Sequence, residues 1–188
     1  VLVRRLVRAL ELPLDRDAAV CLYAALVCDT GRFQYDTTTP EVFELARELT
    51  TFDVPVSRLS RCLFEEHRFA YLQLLGEVLG RSVLVPEKRM VWTAVTQADL
   101  SRHGVTLEEI EGLIDVLRRT AEAEVTCVLK EEPDGAMRVS LRSLDDVDVR
   151  VIAEREGGGG HRFAAGFTST DSAEAIVNRI LAGLPETN

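Results

Sequence analysis

The sequence has no apolar run long enough to cross a bilayer as a helix, no signal-peptide pattern at its start and no CxxC pair. These absences argue against a membrane-spanning or exported protein; the expectation is a cytoplasmic one that does not engage membranes. Cys21, Cys28, Cys62 and Cys127 each fall in an apolar pattern, which predicts reduced core thiols and not a disulfide or zinc framework. Basic charge is in short supply too. Lys and Arg total 22 against 31 Asp and Glu, a net charge of −9 that argues against a broad electrostatic grip on long nucleic acid. Any phosphate site must therefore be a local basic pocket. An initiator methionine is missing: the chain opens at Val1 inside a helical pattern, so it is expected to be cut from something longer. What is present is ordinary globular material. It is 46% hydrophobic and 28% charged over 188 residues, enough for one large domain or two small ones.

The most informative stretch runs from Gly157 through Gly158, Gly159, Gly160, His161, Arg162, Phe163, Ala164 and Ala165 to Gly166. Four consecutive glycines remove every Cβ from a turn, so backbone N–H groups can converge on an anion. His161 and Arg162 follow at once as hydrogen-bond donors to phosphate, and the small residues after them suit a close-approaching ligand. A flexible linker is the plain alternative, but linkers do not favour His-Arg-Phe or lead straight into a strand.

Along the chain, Val3, Leu6, Val7 and Leu10 recur at helical spacing, with Arg4, Arg5 and Arg8 on a face expected to be solvated. A second helix carries Ala18, Ala19, Leu22, Ala25 and Leu26 into Cys28-Asp29-Thr30-Gly31-Arg32-Phe33. Asp29 lies near the helix C-terminus, where the dipole disfavours a carboxylate unless a cation or donor compensates. A local turn in which Asp29 bonds nearby backbone is an equally open reading. Thr39-Pro40-Glu41 opens a third helix, and amphipathic helix continues from Ser57 to Leu79, with no strand before Gly80. Beyond Ser82 the period changes. Val83–Val85 and Val91–Thr96 read as strands, and Thr106 with Glu109 caps a helix presenting Leu107, Ile110, Leu113, Ile114 and Leu117. Val125, Cys127 and Leu129 alternate, Pro133-Asp134-Gly135 turns, and Met137, Val139 and Leu141 alternate back, placing Arg138, Ser140 and Arg142 on one face. A short helix over 147–154, a strand over 164–169 and a helix over 173–184 capped by Asp171 complete the pattern.

Gly158 to Gly166 resembles the GGGHxxAAG signature of the domain that accompanies DHH phosphoesterases, and Ser140-Leu141-Arg142-Ser143 resembles the strand before it. Leu26 to Phe33, with Thr37-Thr38-Thr39-Pro40 beyond, resembles the last metal-binding motif of the DHH catalytic domain. The style is closest to the nanoRNase type, the oligoribonuclease and pAp-phosphatase branch. The resemblance implies an α/β chain in three parts. These are a helical C-terminal remainder of the catalytic domain over 1–56, a helical connector over 57–81, and a mixed-sheet substrate-binding domain over 82–188.

The resemblance further implies two-metal phosphoester hydrolysis, usually with Mn²⁺, on short oligonucleotides, dinucleotides or pAp, by a homodimer; the acidic charge adds that long nucleic acid is not a partner. Asp29 would be a catalytic metal ligand. Arg142, Ser143, Gly158, Gly159, Gly160, His161, Arg162, Ala164, Ala165 and Gly166 would bind substrate. The sequence departs from the family in one respect: the earlier motifs, including the Asp-His-His triplet, do not occur in it. The chain is therefore expected to hold one metal ligand and the substrate clamp, and to be inactive alone. A RecJ-like exonuclease, a short-chain polyphosphatase and a non-catalytic nucleotide-binding module are the other readings.

Overall fold

A computed structural model describes residues 1–35 and 37–186, and the chain divides into two compact units, Val1–Glu66 and His67–Asn188. The expected class holds: helices first, then a mixed α/β part.

The first unit consists of α1 (Leu2–Ala9), α2 (Arg16–Asp29), α3 (Pro40–Thr50) and α4 (Val56–Phe64). Asp15 caps α2 by accepting the Ala18 N–H at 2.8 Å, and Pro40 starts α3 where a missing N–H costs nothing. Ala19, Tyr23 and Leu26 of α2 pack with Val42, Leu45 and Leu49 of α3. Two expectations need correction here. The arginine face of α1 is solvated only in part: the Arg5 and Arg8 side chains are 61% and 62% exposed, but Arg4 is covered, and all three pair with α3, Arg4 and Arg8 with Glu48 and Arg5 with Glu41. The apolar face is not buried by α3 and is exposed as well, with Leu2 at 77% and Leu6 at 57%. Acidic side chains on α3 decide which face of α1 turns inward. Nor are the cysteines of this unit core thiols, since Cys21, Cys28 and Cys62 are exposed. The apolar run of α2 is broader than the stripe it buries, and Cys21 and Cys28 fall outside the Ala19–Tyr23–Leu26 line.

The second unit is a sheet clad on both faces. In chain order it holds α5 (Phe69–Gly80), β1 (Val83–Val85), β2 (Met90–Val95), α6 (Gln97–His103), α7 (Leu113–Leu117) and β3 (Val125–Glu131). After these come β4 (Met137–Ser143), α8 (Val149–Arg155), β5 (Gly159–His161), β6 (Ala164–Ser169) and α9 (Ala173–Gly183). Strand order is β1-β2-β3-β4-β6-β5, antiparallel except for the β2–β3 pair. The parallel pair needs a crossover, which α6 and α7 supply. Cys127, Leu129, Leu141 and Phe167 meet α8 and α9 on one face, and burial pushes the Cys127 thiol up from its ordinary range. Val91, Val95 and Val128 meet α5, α6 and α7 on the other.

The 57–81 stretch is divided between the units, α4 in the first and α5 in the second. The helix expected from Thr106 is interrupted: a 3-10 turn over Glu108–Ile110 gives way at Gly112 to α7. Its buried residues, Ile110, Leu113, Ile114 and Leu117, are those the periodicity selects. The cap of α9 is Ser172, whose hydroxyl accepts the Ala175 N–H at 3.3 Å, while Asp171 pairs with Arg179. Two buried charges brace the sheet. Asp99 of α6 closes a capping box with Thr96 and is gripped by Arg81. Lys130 of β3 is wholly buried and reaches Glu111 at 2.8 Å.

Candidate functional site

The register of the last three strands builds the site. Arg142 on β4 stands opposite Ala164 on β6, which stands opposite His161 on β5. One row along, Ser140, Gly166 and Gly159 are aligned in the same way. Residues directly opposite in an antiparallel pair share a face, as do residues two apart on one strand. Arg142 and His161 therefore rise from one face, about 10 Å apart at the backbone by strand spacing. Between and beside them lies a floor of Ser140, Ala164, Gly166 and Gly159. His161 is exposed and Arg142, Ser140, Gly159, Ala164 and Gly166 are half-buried, so this half of the face is accessible.

The glycines have different reasons to be glycine. A Cβ on Gly158 would lie 2.2 Å from the Gly166 carbonyl oxygen, and one on Gly160, at φ 142°, would lie 2.5 Å from that of Ala164. Gly166 is equally constrained, since its Cβ would approach the Val139 carbonyl oxygen to 2.6 Å. These three are required by the close approach of β5, β6 and β4. Gly159 differs: a Cβ there meets nothing within 4 Å, and its φ is not left-handed. Folding does not demand glycine at 159, whose missing side chain leaves room over the open face.

The predicted substrate residues divide accordingly. Arg142, Gly159, His161, Ala164 and Gly166 converge on the open face. Ser143 and Ala165 turn to the opposite, helix-covered face, where Ala165 is part of the core. The Ser143 hydroxyl is buried there with no hydrogen-bond partner among the described residues. Arg162 sits at the tip of the β5–β6 hairpin and donates to the Asp146 carbonyl at 3.2 Å. Among the described residues Arg142 has no ion pair, its guanidinium donating only to the Leu141 carbonyl at 3.0 Å, and His161 has no partner. That leaves a cation and an imidazole free above a glycine floor, an arrangement suited to an anionic group. Ser140 and Gly159 were legible in the sequence as residue types. Their alignment with Arg142 and His161 depends on strand register.

In the first unit, Asp29 is the last residue of α2 and is exposed. After it the backbone enters the left-handed region at three successive residues: Gly31 (φ 52°), Arg32 (φ 62°) and Phe33 (φ 63°). For a Phe this is strained, and such strain of ~1–3 kcal/mol collects at functional turns. Buried Thr30 holds the turn, donating to the Leu26 carbonyl at 2.7 Å and accepting the Phe33 N–H at 3.2 Å. The Asp29 carboxylate takes no hydrogen bond from the described residues of this turn. The Thr37 hydroxyl reaches its main-chain carbonyl instead, at 3.4 Å. Asp29 is thus a hard oxygen donor at an unfavourable dipole end, with no ion pair among the described residues. One carboxylate does not make a metal centre, and no cluster of three or more His, Cys, Asp or Glu capable of one occurs among the described residues.

Residues 89–184, about half of the chain, match the model of the DHHA1 domain. The chain belongs to the DHHA1 family. The match takes in β2 to α9, and so the whole of the open face. A protein of Streptococcus mutans named as a probable bifunctional oligoribonuclease and PAP phosphatase NrnA is 30% identical over 165 residues, 87% of this chain and 52% of that protein. The Thermus thermophilus protein named bifunctional oligoribonuclease and PAP phosphatase NrnA is 30% identical over 168 residues, 89% of this chain and 49% of its own. The chain spans about half the length of these curated relatives. The crystal structure of an exopolyphosphatase-related protein from Bacteroides fragilis superposes with a TM-score of 0.84 at 21% identity, over 90% of this chain and 51% of that one. That likeness shares the fold of this DHHA1 chain. Among the described residues no helix is long and apolar enough to cross a membrane.

Proposed function

We propose that this chain supplies the substrate clamp and one metal ligand of a phosphoesterase acting on short oligonucleotides, dinucleotides and nucleotide phosphates such as pAp. The observation that carries the reading is the row Arg142–Ala164–His161 above the Ser140–Gly166–Gly159 floor. Arg142 presents a rigid fork of donors to a phosphate, and His161 offers a ring N–H from the neighbouring edge strand. The floor lets the ligand lie against backbone. The names of the two NrnA relatives support the substrate class, and the net charge of −9 supports short substrates over long ones.

Asp29 fits one position of a divalent-metal shell, Mn²⁺ by the family resemblance; a bound metal pair supplies an activated water and a polarised phosphate. In this chain the work is positioning: Arg142 and His161 fix the phosphate, and Asp29 contributes its oxygens. A cytoplasmic setting and assembly as a homodimer belong to the same proposal, the latter checked by light scattering. The test is kinetic, in a protein carrying this chain together with the remaining metal ligands. Arg142→Ala and His161→Ala should each lower kcat/KM on a dinucleotide about ten- to a hundredfold, with Mn²⁺ affinity unchanged. Wild-type kcat/KM in both variants would end the clamp reading.

A further inference from the structure

We infer that Glu124, immediately before β3 and outside the clamp itself, is the positioning residue that sets where His161 stands relative to Arg142. The inference rests on the clamp reading above and deepens it, since it names what holds the two donors at a fixed separation.

Glu124 is a carboxylate only 8% exposed, and every polar group it carries has a partner. Its N–H donates to the Arg89 carbonyl at 2.7 Å, and its own carbonyl accepts the Leu144 N–H at 3.2 Å. In the side chain, Oε1 accepts the N–H groups of both Asp146 and Val147 at 2.8 Å, while Oε2 accepts from the Arg89 guanidinium at 3.1 Å. Arg89 closes the turn before β2 in the left-handed region, at φ 45°. One buried carboxylate thus joins that turn to residues 144–148, the irregular segment between β4 and α8, whose N–H groups have no ladder to enter.

That segment in turn holds the hairpin carrying His161. Arg142 is set by β4, which is paired along both sides, whereas β5 is three residues at the edge of the sheet, joined to β6 through Gly159, Gly160 and His161. The β5–β6 tip is fastened by three further bonds. The Phe163 carbonyl accepts the Ser143 N–H at 3.1 Å, the Arg162 carbonyl accepts the Val149 N–H at 3.0 Å, and the Arg162 guanidinium donates to the Asp146 carbonyl at 3.2 Å. All three anchors lie in or beside the segment that Glu124 ties down. These bonds are on the helix-covered side, so Glu124 touches no ligand and acts through backbone: Arg162 directly follows His161. Loss of the carboxylate leaves two N–H groups unpaired and the tip free to shift, and a misplacement of about 1 Å in a positioned site costs up to about a hundredfold.

The experiment titrates the 188-residue chain calorimetrically with adenosine 5′-monophosphate. Glu124→Ala should weaken binding about tenfold in the wild-type background but less than about twofold in a His161→Ala background, where the group being positioned is gone. Both loop donors use Oε1, which glutamine keeps, so Glu124→Gln should stay within about threefold of wild type; Glu124→Asp, which draws the oxygen back by a methylene, should behave as Ala does. Circular-dichroism melts check folding, and if Glu124→Ala is unfolded at the titration temperature, Glu124→Asp is carried through the same two backgrounds. Wild-type affinity in Glu124→Ala, with His161→Ala weakened, would overturn the positioning role and leave the clamp standing. Equal losses in the two backgrounds, a loss in Glu124→Gln as large as in Glu124→Ala, or unfolding of both the Ala and Asp variants would mark Glu124 as merely structural and overturn it too. If wild type does not bind the nucleotide, or His161→Ala binds it as wild type does, the clamp falls and the positioning role with it.

Discussion

Substituting valine at Gly158 and at its neighbour Gly159 should give opposite phenotypes. At 158 the new Cβ lies 2.2 Å from the Gly166 carbonyl oxygen, 2.5 Å from the Phe167 Cβ and 2.8 Å from the Phe167 Cα. Gly166 and Phe167 belong to β6, which is paired with β4 on one side and β5 on the other, so the backbone has nowhere to retreat. Overpacking of this kind costs about 3 kcal/mol when the obstruction is main chain. For a unit of this size that lowers Tm by about 10 °C. At 159 nothing lies within 4 Å of the Cβ, the φ is ordinary, and the residue is in an edge strand where β-branched side chains are well accepted. Stability should shift by no more than about 0.5 kcal/mol. The isopropyl group instead fills the space over the open face, and binding of adenosine 5′-monophosphate should fall at least tenfold. Circular-dichroism melts and calorimetric titration of both variants decide the matter. The reasoning fails if Gly159→Val binds like wild type, or if it unfolds as early as Gly158→Val.

The 188-residue chain alone, mixed with Mn²⁺ and a dinucleotide, should show no turnover above background, because the described residues hold no cluster able to bind a metal pair; measurable metal-dependent hydrolysis would refute this. In an active protein containing the chain, Asp29→Ala should abolish hydrolysis and weaken Mn²⁺ binding while the melt is unchanged; an unfolded variant with full specific activity in its folded fraction would favour a purely local turn. The same protein should cleave dimers to about pentamers faster than long single strands at low salt, and a rate rising steadily with length would favour a RecJ-like activity. Burial raises the Asp99 carboxyl's pKa, but Arg81 and Thr96 outweigh that effect and hold it well below the usual carboxylate range. A depressed folded pKa contributes stability above the unfolded value near 4, lost as pH falls below it. Asp99→Asn should therefore cost about 2 kcal/mol at pH 7 and flatten the acid limb below about pH 4, read from urea melts across pH.

Side-chain alternation made the β3–β4 hairpin legible, and helical periodicity did the same for the stripe that α7 buries. Where periodicity carries no signal, elements were missed. Strand β5 is Gly-Gly-His, without enough side chains to alternate, and α6 is a seven-residue helix whose Thr96–Asp99 capping box directly follows the apolar β2. The inversion of α1 has another cause. Its sequence distinguishes two faces, but the choice between them lies with Glu41 and Glu48, some forty residues away. The site was half legible on the same grounds. Arg142 and His161 declare themselves by type and neighbourhood. That they share a row, while Ser143 and Ala165 face the other way, is a matter of β4–β6–β5 register, which no local pattern encodes.

The chain has only two lysines, Lys88 and Lys130, and they stand in opposite environments. Lys88 is half-buried near the surface, donating to the Leu184 carbonyl at 3.2 Å, whereas Lys130 is wholly buried, its ammonium covered from outside by the exposed Glu111 it pairs with. Acylating reagents need a free amine in water. In the folded molecule they should therefore reach the N-terminus and Lys88 and leave Lys130 untouched. Acylation of Lys130, followed peptide by peptide in a mass spectrometer, thus becomes a built-in clock for the opening of the second unit. Its rate measures how often β3 is exposed, with no engineered probe and no denaturant.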